Sequence, residues 1–163
     1  MAMPDTPGGI SLQPIGIVHN DVTAEEDRWE EVVSRIEVRE DLLPALEGLE
    51  EFSHLLVLFY FDRLPPGPRP LQVHPERRPE MPLVGVLATR SPQRPNPIGL
   101  TAVELLRREG NVLWVRGLDA FDGTPVLDIK PYLPRGDHLE EVRIPDWLRR
   151  LWALHDRERE DGR

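Results

Sequence analysis

Ala102-Val-Glu-Leu-Leu-Arg-Arg-Glu-Gly110-Asn-Val-Leu-Trp-Val-Arg-Gly-Leu118 reads as two extended segments about a tight turn. Over Ala102–Arg108, Val103 and Leu105 alternate with polar neighbours; over Val112–Leu118, Val112, Trp114 and Arg116 alternate against Leu113, Val115 and Gly117. Glu109-Gly110-Asn111 between them has hairpin-turn chemistry. An antiparallel pair is thereby set, and any other strands must assemble around it.

On the N-terminal side the chain runs Val84-Gly-Val-Leu-Ala-Thr-Arg-Ser-Pro-Gln-Arg-Pro-Asn-Pro-Ile-Gly-Leu-Thr101. Leu83–Ala88 reads as a strand that delivers a proline-stiffened loop: Pro92, Pro95 and Pro97 fix φ, and the last two also restrict Arg94 and Asn96. Arg90 and Arg94 bring planar donor forks, Asn96 adds an amide, and Gly99 permits close approach of a ligand or another backbone. Polar groups held in place beforehand lower the ordering cost of binding, so the loop reads as a binding element. On the C-terminal side, Asp119-Ala-Phe-Asp122-Gly123-Thr-Pro125 has the chemistry of a second turn, and Val126–Ile129 is a brief strand ending at Lys130-Pro131-Tyr132.

Further out, Leu12–Val18 and Ser34–Val38 alternate as strands, and Asp21–Glu31 between them is polar without a period. Asp41–Gly48 gives a helical turn or two stopped by Gly48. After His54, Leu55–Phe61 is apolar throughout, which predicts a strand buried on both faces or nearly so and ending in Asp62-Arg63. Leu64–Pro82 is so dense in proline that it predicts a long loop without regular structure. Ile144–His155 carries Pro145 and Asp146 at a helix start and Trp147, Leu148, Leu151, Trp152 and His155 at helical spacing; Asp156–Arg163 is expected to fray. The domain organisation expected is a flexible tail over 1–11, a β domain over 12–138, and a helix with a charged tail over 139–163.

Composition narrows the function. A chain of 163 residues fits one core. With 29 Asp plus Glu against 20 Lys plus Arg, the formal charge is −9, which argues against non-specific affinity for a polyanion. Eighteen Pro and twelve Gly favour many turns and short strands. No Cys is present, so disulfides and thiolate chemistry are excluded. No apolar run approaches a membrane span and the first residues lack signal-peptide character, so a soluble, cytoplasmic protein is expected. The five His show no metal-ligand spacing, and hydrolase-elbow, Walker and dinucleotide fingerprints are all missing; no metal is expected. His54, leading into a core strand, reads as a partly buried, satisfied histidine rather than as a general base. What remains is a set of polar residues at strand ends: Asp62 and Arg63, Arg90 to Asn96, Asp119, Asp122, Asp128, Lys130 and Tyr132. Asp128 and Lys130 also have the spacing of a plain ion pair on a strand.

Four blocks resemble signatures of the TsaA-like family, also called TrmO: Ala88-Thr-Arg-Ser-Pro-Gln-Arg-Pro-Asn-Pro-Ile-Gly-Leu100, Asp122-Gly-Thr-Pro-Val-Leu-Asp-Ile-Lys-Pro-Tyr132, Leu46-Glu-Gly-Leu-Glu-Glu-Phe-Ser-His54 and Pro14-Ile-Gly-Ile17. The resemblance implies a mainly β fold, a small antiparallel β-barrel with a C-terminal helix, and a homodimer. It implies S-adenosylmethionine as cofactor and N6-methylation of threonylcarbamoyladenosine at position 37 of tRNA as activity. Carried over by position, it places the cofactor near Asp62, Arg63, Arg90, Leu100 and Leu118, Asp119, Ala120 and Phe121, puts Arg94 and Asn96 at the substrate, and assigns catalysis to Asp122, Lys130 and Tyr132. Two segments depart from the family pattern: Asp27-Arg-Trp-Glu-Glu-Val-Val33 stands where members acting on tRNA commonly carry Pro-Arg-Gln, and Asp62-Arg63 stands where a His-Gln pair is frequent. With the acidic charge, these keep open a small-molecule methyl acceptor or a non-catalytic S-adenosylmethionine-binding module.

Overall fold

The structure is a computed structural model that describes residues 9–24 and 28–162. Most of the tail expected over 1–11 lies outside the described residues, as do Glu25 to Asp27 of the polar segment. The chain divides into two compact units, one from Met1–Asp62 and Ile98–Tyr132, the other from Arg63–Pro97 and Leu133–Arg163.

The first unit is a closed antiparallel barrel of six strands: β1 (Gly16–His19), β2 (Val33–Val38), β3 (His54–Tyr60), β6 (Ile98–Glu109), β7 (Val112–Arg116) and β8 (Pro125–Pro131), in the order β1-β2-β7-β6-β3-β8. Closure satisfies every strand edge within the ring. The sequence-predicted hairpin is β6 and β7, paired from Glu109↔Val112 to Glu104↔Arg116, with a bulge between Leu105 and Arg107. Alternation decides what lies inside: Val18, Ile36, Val38, Leu55, Val57, Phe59, Val103, Leu113, Val115 and Val126 are all at most 1% exposed. Burying that apolar surface is the main drive for closure.

The second unit contains β4 (Gln72–Val73), which pairs with β5 (Val84–Gly85), and two helices, α1 (Pro134–Asp137) and α2 (Asp146–Asp161). Pro75, Met81, Val86 and Leu151 are its buried residues. His155 Nε2 lies 2.7 Å from Glu76 Oε2, and Arg78 Nη2 donates to both carboxylate oxygens of Glu158 at 2.8 and 2.9 Å. No helix is long and apolar enough to cross a membrane among the described residues.

Several expectations are corrected. The first strand begins at Gly16, not Leu12, because Leu12 is 58% exposed and only from Gly16 does the chain find partners in both β2 and β8. Over Leu83–Ala88 only Val84 and Gly85 are extended; Val86–Ala88 is a 3-10 turn, so the proline loop follows a turn rather than a barrel strand. Leu64–Pro82 is not wholly irregular, since it supplies β4 and the turn Pro75–Arg77. β3 is buried on one face only: Leu55, Val57 and Phe59 point inward while Leu56 and Leu58 are half-buried and Tyr60 is exposed. The helix does not fray after His155 but continues to Asp161, with Glu158 tied to Arg78. The connector after β2 is 3-10 helix over Glu40–Leu46, and Gly48 takes φ +82°, the left-handed conformation that suits glycine at a stop.

Candidate active site

A groove of about 370 Å³ opens on the outer wall of the barrel. Its origin is a divergence of two strands. β7 follows β6 only as far as Arg116, opposite Glu104; Gly117 then takes φ +92° and turns the chain away, so Ile98 to Val103 lose β7 as a ladder partner. Thr101, Ala102 and Glu104 on β6, His54 on β3, Arg116 at the end of β7, Gly117 and Asp119 after the divergence, and Trp29 and Glu30 of a short 3-10 turn line the space. Gly117 N–H donates to Val32 O at 3.0 Å and Val32 N–H to Trp29 O at 3.1 Å, which ties that turn to the end of β7. The Trp29 ring, which lines the groove, packs on the Phe121 ring with centroids 5.8 Å apart and planes tilted by 57°.

The lining is acidic: three carboxylates, Glu30, Glu104 and Asp119, against one guanidinium. Arg116 Nη1 donates to Glu104 Oε2 at 2.9 Å, and the Thr101 hydroxyl donates to the Asp119 carboxylate. A surface of this sign suits a cationic ligand with a flat apolar part. S-adenosylmethionine, with its sulfonium, ammonium and adenine, has that chemistry, so the residues present fit it.

Asn20 holds the segment that ends the groove, and its role was missed in the sequence. Its Nδ2 donates to Ser34 Oγ at 2.9 Å and to Ala120 O at 2.8 Å, its Oδ1 accepts from Val22 N–H at 3.1 Å, and its own N–H donates to Asp122 Oδ1 at 3.1 Å. Ser34 is fully buried, so the amide anchors the turn to the barrel interior. Read alone, His19-Asn20-Asp21 signals only a strand end; nothing local marks a bond spanning a hundred residues.

The sequence-predicted site residues divide between the two units. In the barrel, Asp62 follows β3, Leu100 lies on β6, and Leu118 to Asp122 follow β7, so all belong to one end of the barrel, where Tyr60 pairs with Ile98. Leu118 and Ala120 are buried, Leu100 is 48% exposed, and Asp62 and Asp119 face solvent. Asp122 caps the turn through Asn20 rather than standing in the groove lining. Lys130 and Tyr132 lie toward the far end of β8: Lys130 Nζ is 2.7 Å from Asp128 Oδ2, the plain ion pair allowed by the spacing, and Tyr132 presents an edge contact to His54 at 6.5 Å. In the other unit, Arg63, Arg90 and Asn96 are exposed, while Arg94 is half-buried and braces its own loop, Nη1 donating to Thr89 O at 3.0 Å. The Thr89 hydroxyl donates to Val86 O at 2.7 Å and accepts from Ser91 N–H at 3.1 Å, which adds to the stiffness given by the prolines. Gly99 makes no room for a ligand: the Phe59 ring occupies the place a Cβ would take.

Residues 19–138 match the family model described as the tRNA-methyltransferase O N-terminal domain. A Pyrococcus abyssi protein described as a probable S-adenosyl-L-methionine-binding protein is 40% identical over 94% of this chain and 84% of its own length. The human tRNA (adenine(37)-N6)-methyltransferase is 44% identical over 62% of this chain, but only 23% of its own length is covered. The crystal structure of TrmO from Pseudomonas aeruginosa superposes with a TM-score of 0.68 at 34% identity, covering 85% of this chain and 64% of that one. The chain thus spans most of the archaeal relative but less than two thirds of the crystallised one. With a closed six-stranded barrel, the match over residues 19–138 and these identities in agreement, the chain belongs to the tRNA-methyltransferase O N-terminal domain family.

Proposed function

We propose that this chain is an S-adenosylmethionine-dependent methyltransferase that methylates N6 of threonylcarbamoyladenosine at position 37 of tRNA. The observation that carries the reading is the acidic, Trp29-lined groove at the divergence of β6 and β7, in a chain of this family. When bound, the cofactor supplies a methyl group already activated by its sulfonium. The protein then has to align a nitrogen with that group and exclude water. In this reading Asp119, held by Thr101, and Glu30 face the positive charge, while the Trp29 ring, backed by Phe121, offers its face to a purine. Asp62, Leu100, Leu118 and Ala120, at the same end of the barrel, complete the cofactor's surroundings in this reading. The relatives support the reading by what they are named for: S-adenosylmethionine binding and methylation of tRNA adenine 37.

A homodimer and a cytoplasmic location belong to the same reading. The dimer is supported by the outer face of β3 and β6, where the register pairs Leu56↔Ala102, Leu58↔Leu100 and Tyr60↔Ile98 make a continuous apolar strip.

The test is transfer of labelled methyl from the cofactor to tRNA carrying threonylcarbamoyladenosine, run beside tRNA lacking that modification and a low-molecular-weight extract. Label in the modified tRNA alone is the expected result. The second reading, a small-molecule acceptor, is favoured by the formal charge of −9 and the departures at Trp29 and Asp62-Arg63; label confined to the extract fraction establishes it and overturns the first. Cofactor binding without transfer to either fraction leaves a non-catalytic binding module.

A further inference from the structure

His54 is not the satisfied core histidine its place before a buried strand suggests. It is exposed, lines the groove, and has one ring nitrogen already engaged: Ser53 Oγ lies 2.8 Å from Nδ1. Ser53 is fixed in turn, its carbonyl accepting from Leu105 N–H at 2.8 Å, and Tyr132 N–H donates to the His54 carbonyl at 3.0 Å. The ring is therefore oriented from both sides of its strand, with the Tyr132 ring against it edge-on.

We propose that His54 is the proton acceptor of the transfer, its Nε2 receiving the proton of the methyl-accepting nitrogen; this rests on the methyltransferase reading above. An exocyclic adenine nitrogen conjugated with its ring holds its lone pair poorly available, and once substituted it must shed a proton. The acceptor nitrogen forms its bond to the methyl carbon as the carbon–sulfur bond breaks, the bonding pair staying on sulfur. The N–H proton passes to Nε2, leaving the N–H electron pair on nitrogen and a cationic imidazolium.

The groove's other groups are less suited. Asp119 accepts from the Thr101 hydroxyl, Glu104 is bound to Arg116, and carboxylates are weak bases at neutral pH, whereas imidazole titrates between about pH 5 and 8. The charged and titratable groups on the elements packed around His54 are Glu104 on β6, Arg116 on β7 and Tyr132 after β8, with Lys130 held by Asp128 one step further along. Glu104 is the cross-strand register partner of His54, so a carboxylate stands beside the site where the imidazolium forms. The mechanism requires the tautomer in which Nδ1–H donates to Ser53 Oγ and Nε2 is bare.

The test compares wild type, His54→Gln and Ser53→Ala. In His54→Gln, single-turnover transfer to tRNA is expected to fall about a hundredfold or more and to lose the rise with pH that wild type shows through the imidazole range. Binding of S-adenosylhomocysteine, measured by calorimetry, is expected to stay within about twofold, which also certifies the fold. Nitrogen-15 imidazole spectra give a readout apart from activity: with the ring neutral, wild-type His54 shows the Nδ1–H tautomer, and Ser53→Ala shifts the population toward Nε2–H. Active wild type with undiminished His54→Gln, or an Nε2–H tautomer in wild type, overturns His54 alone. Wild type that transfers no methyl to RNA overturns the parent reading and this one with it. Should His54→Gln not fold, the wild-type tautomer and the pH profile of Ser53→Ala decide.

Discussion

At the scale of single residues, Gly99 shows how a position can be legible in type and misread in purpose. The sequence asks for a residue without a Cβ, and the requirement is real, yet a side chain rather than a ligand imposes it. A Cβ built at Gly99 would stand 2.4 Å from Cε2 and Cζ of Phe59, which is itself 1% exposed and stacked edge-on to Phe61 at 5.3 Å. Gly99→Ala is expected to destabilise the barrel by about 1–3 kcal/mol, the range for forcing extra volume into a packed core. Urea unfolding measures it, and adding Phe59→Leu should recover part of the loss; a stability equal to wild type would mean the ring is not held there. Asn20 is the opposite case. Its four hydrogen bonds organise Ala120 and Asp122, but a residue acting across the barrel leaves no local pattern to read. The stiffness of the proline loop was legible because proline acts on its own φ and on its neighbour; that Arg94 would spend a donor on Thr89 within the loop was not.

At the scale of elements, the barrel strands with strict alternation were read nearly to the residue. β2 begins at Val33 against an expected Ser34, and β7 puts Leu113 and Val115 fully inside. Elements whose identity depends on partners were not. β5 is two residues long because its only partner is β4, and β6 begins at Ile98 because β3 pairs with it as far as Tyr60. The connectors also carry the charges that report on pH. Arg108 crosses from β6 to the turn Leu49–Glu51, its Nη1 donating to Glu50 Oε2 at 2.9 Å and to Leu46 O at 3.1 Å. The Glu50 backbone N–H first, and then Arg108, hold the Glu50 carboxyl below its ordinary 4.5. Arg39 does the same for Asp41, and Arg107 for Glu109. A carboxylate depressed in the folded state stabilises it above the ordinary value, and that contribution is lost as pH falls through the depressed one. The thermal midpoint is therefore expected to drop on acidification below about pH 4.5, less steeply in Glu50→Gln, whose neutral amide has nothing to titrate. Equal slopes for variant and wild type would remove Glu50 from the acid response.

At the scale of the molecule, the apolar strip of Leu56, Leu58, Tyr60, Ile98, Leu100 and Ala102 is a feature that closure of the barrel does not explain. Of its two strands only Leu55–Phe61 was expected to be buried on both faces or nearly so; in the proposed homodimer a second copy would cover the strip. Sedimentation equilibrium is expected to show a dimer, and Leu58→Glu, which puts a carboxylate in the middle of the strip and outside the groove, is expected to yield monomer with the barrel's circular dichroism unchanged. A wild-type monomer would sink the pairing. The fold class was legible because alternation, turns and family blocks agree; the groove was not, because it exists only where two strands part.

The register between Tyr60 and Ile98 has a further consequence. The chain departs the ring at one strand end and re-enters at the hydrogen-bonded neighbour, a separation of about 5 Å that a tight reverse turn alone can bridge. The excursion over 61–97 is thus topologically a cassette: it can lengthen, shorten or be exchanged wholesale without cutting a rung of the ladder. Rewriting that cassette would change Arg63, Arg90, Arg94 and Asn96 together while the β6–β7 parting stays as it is.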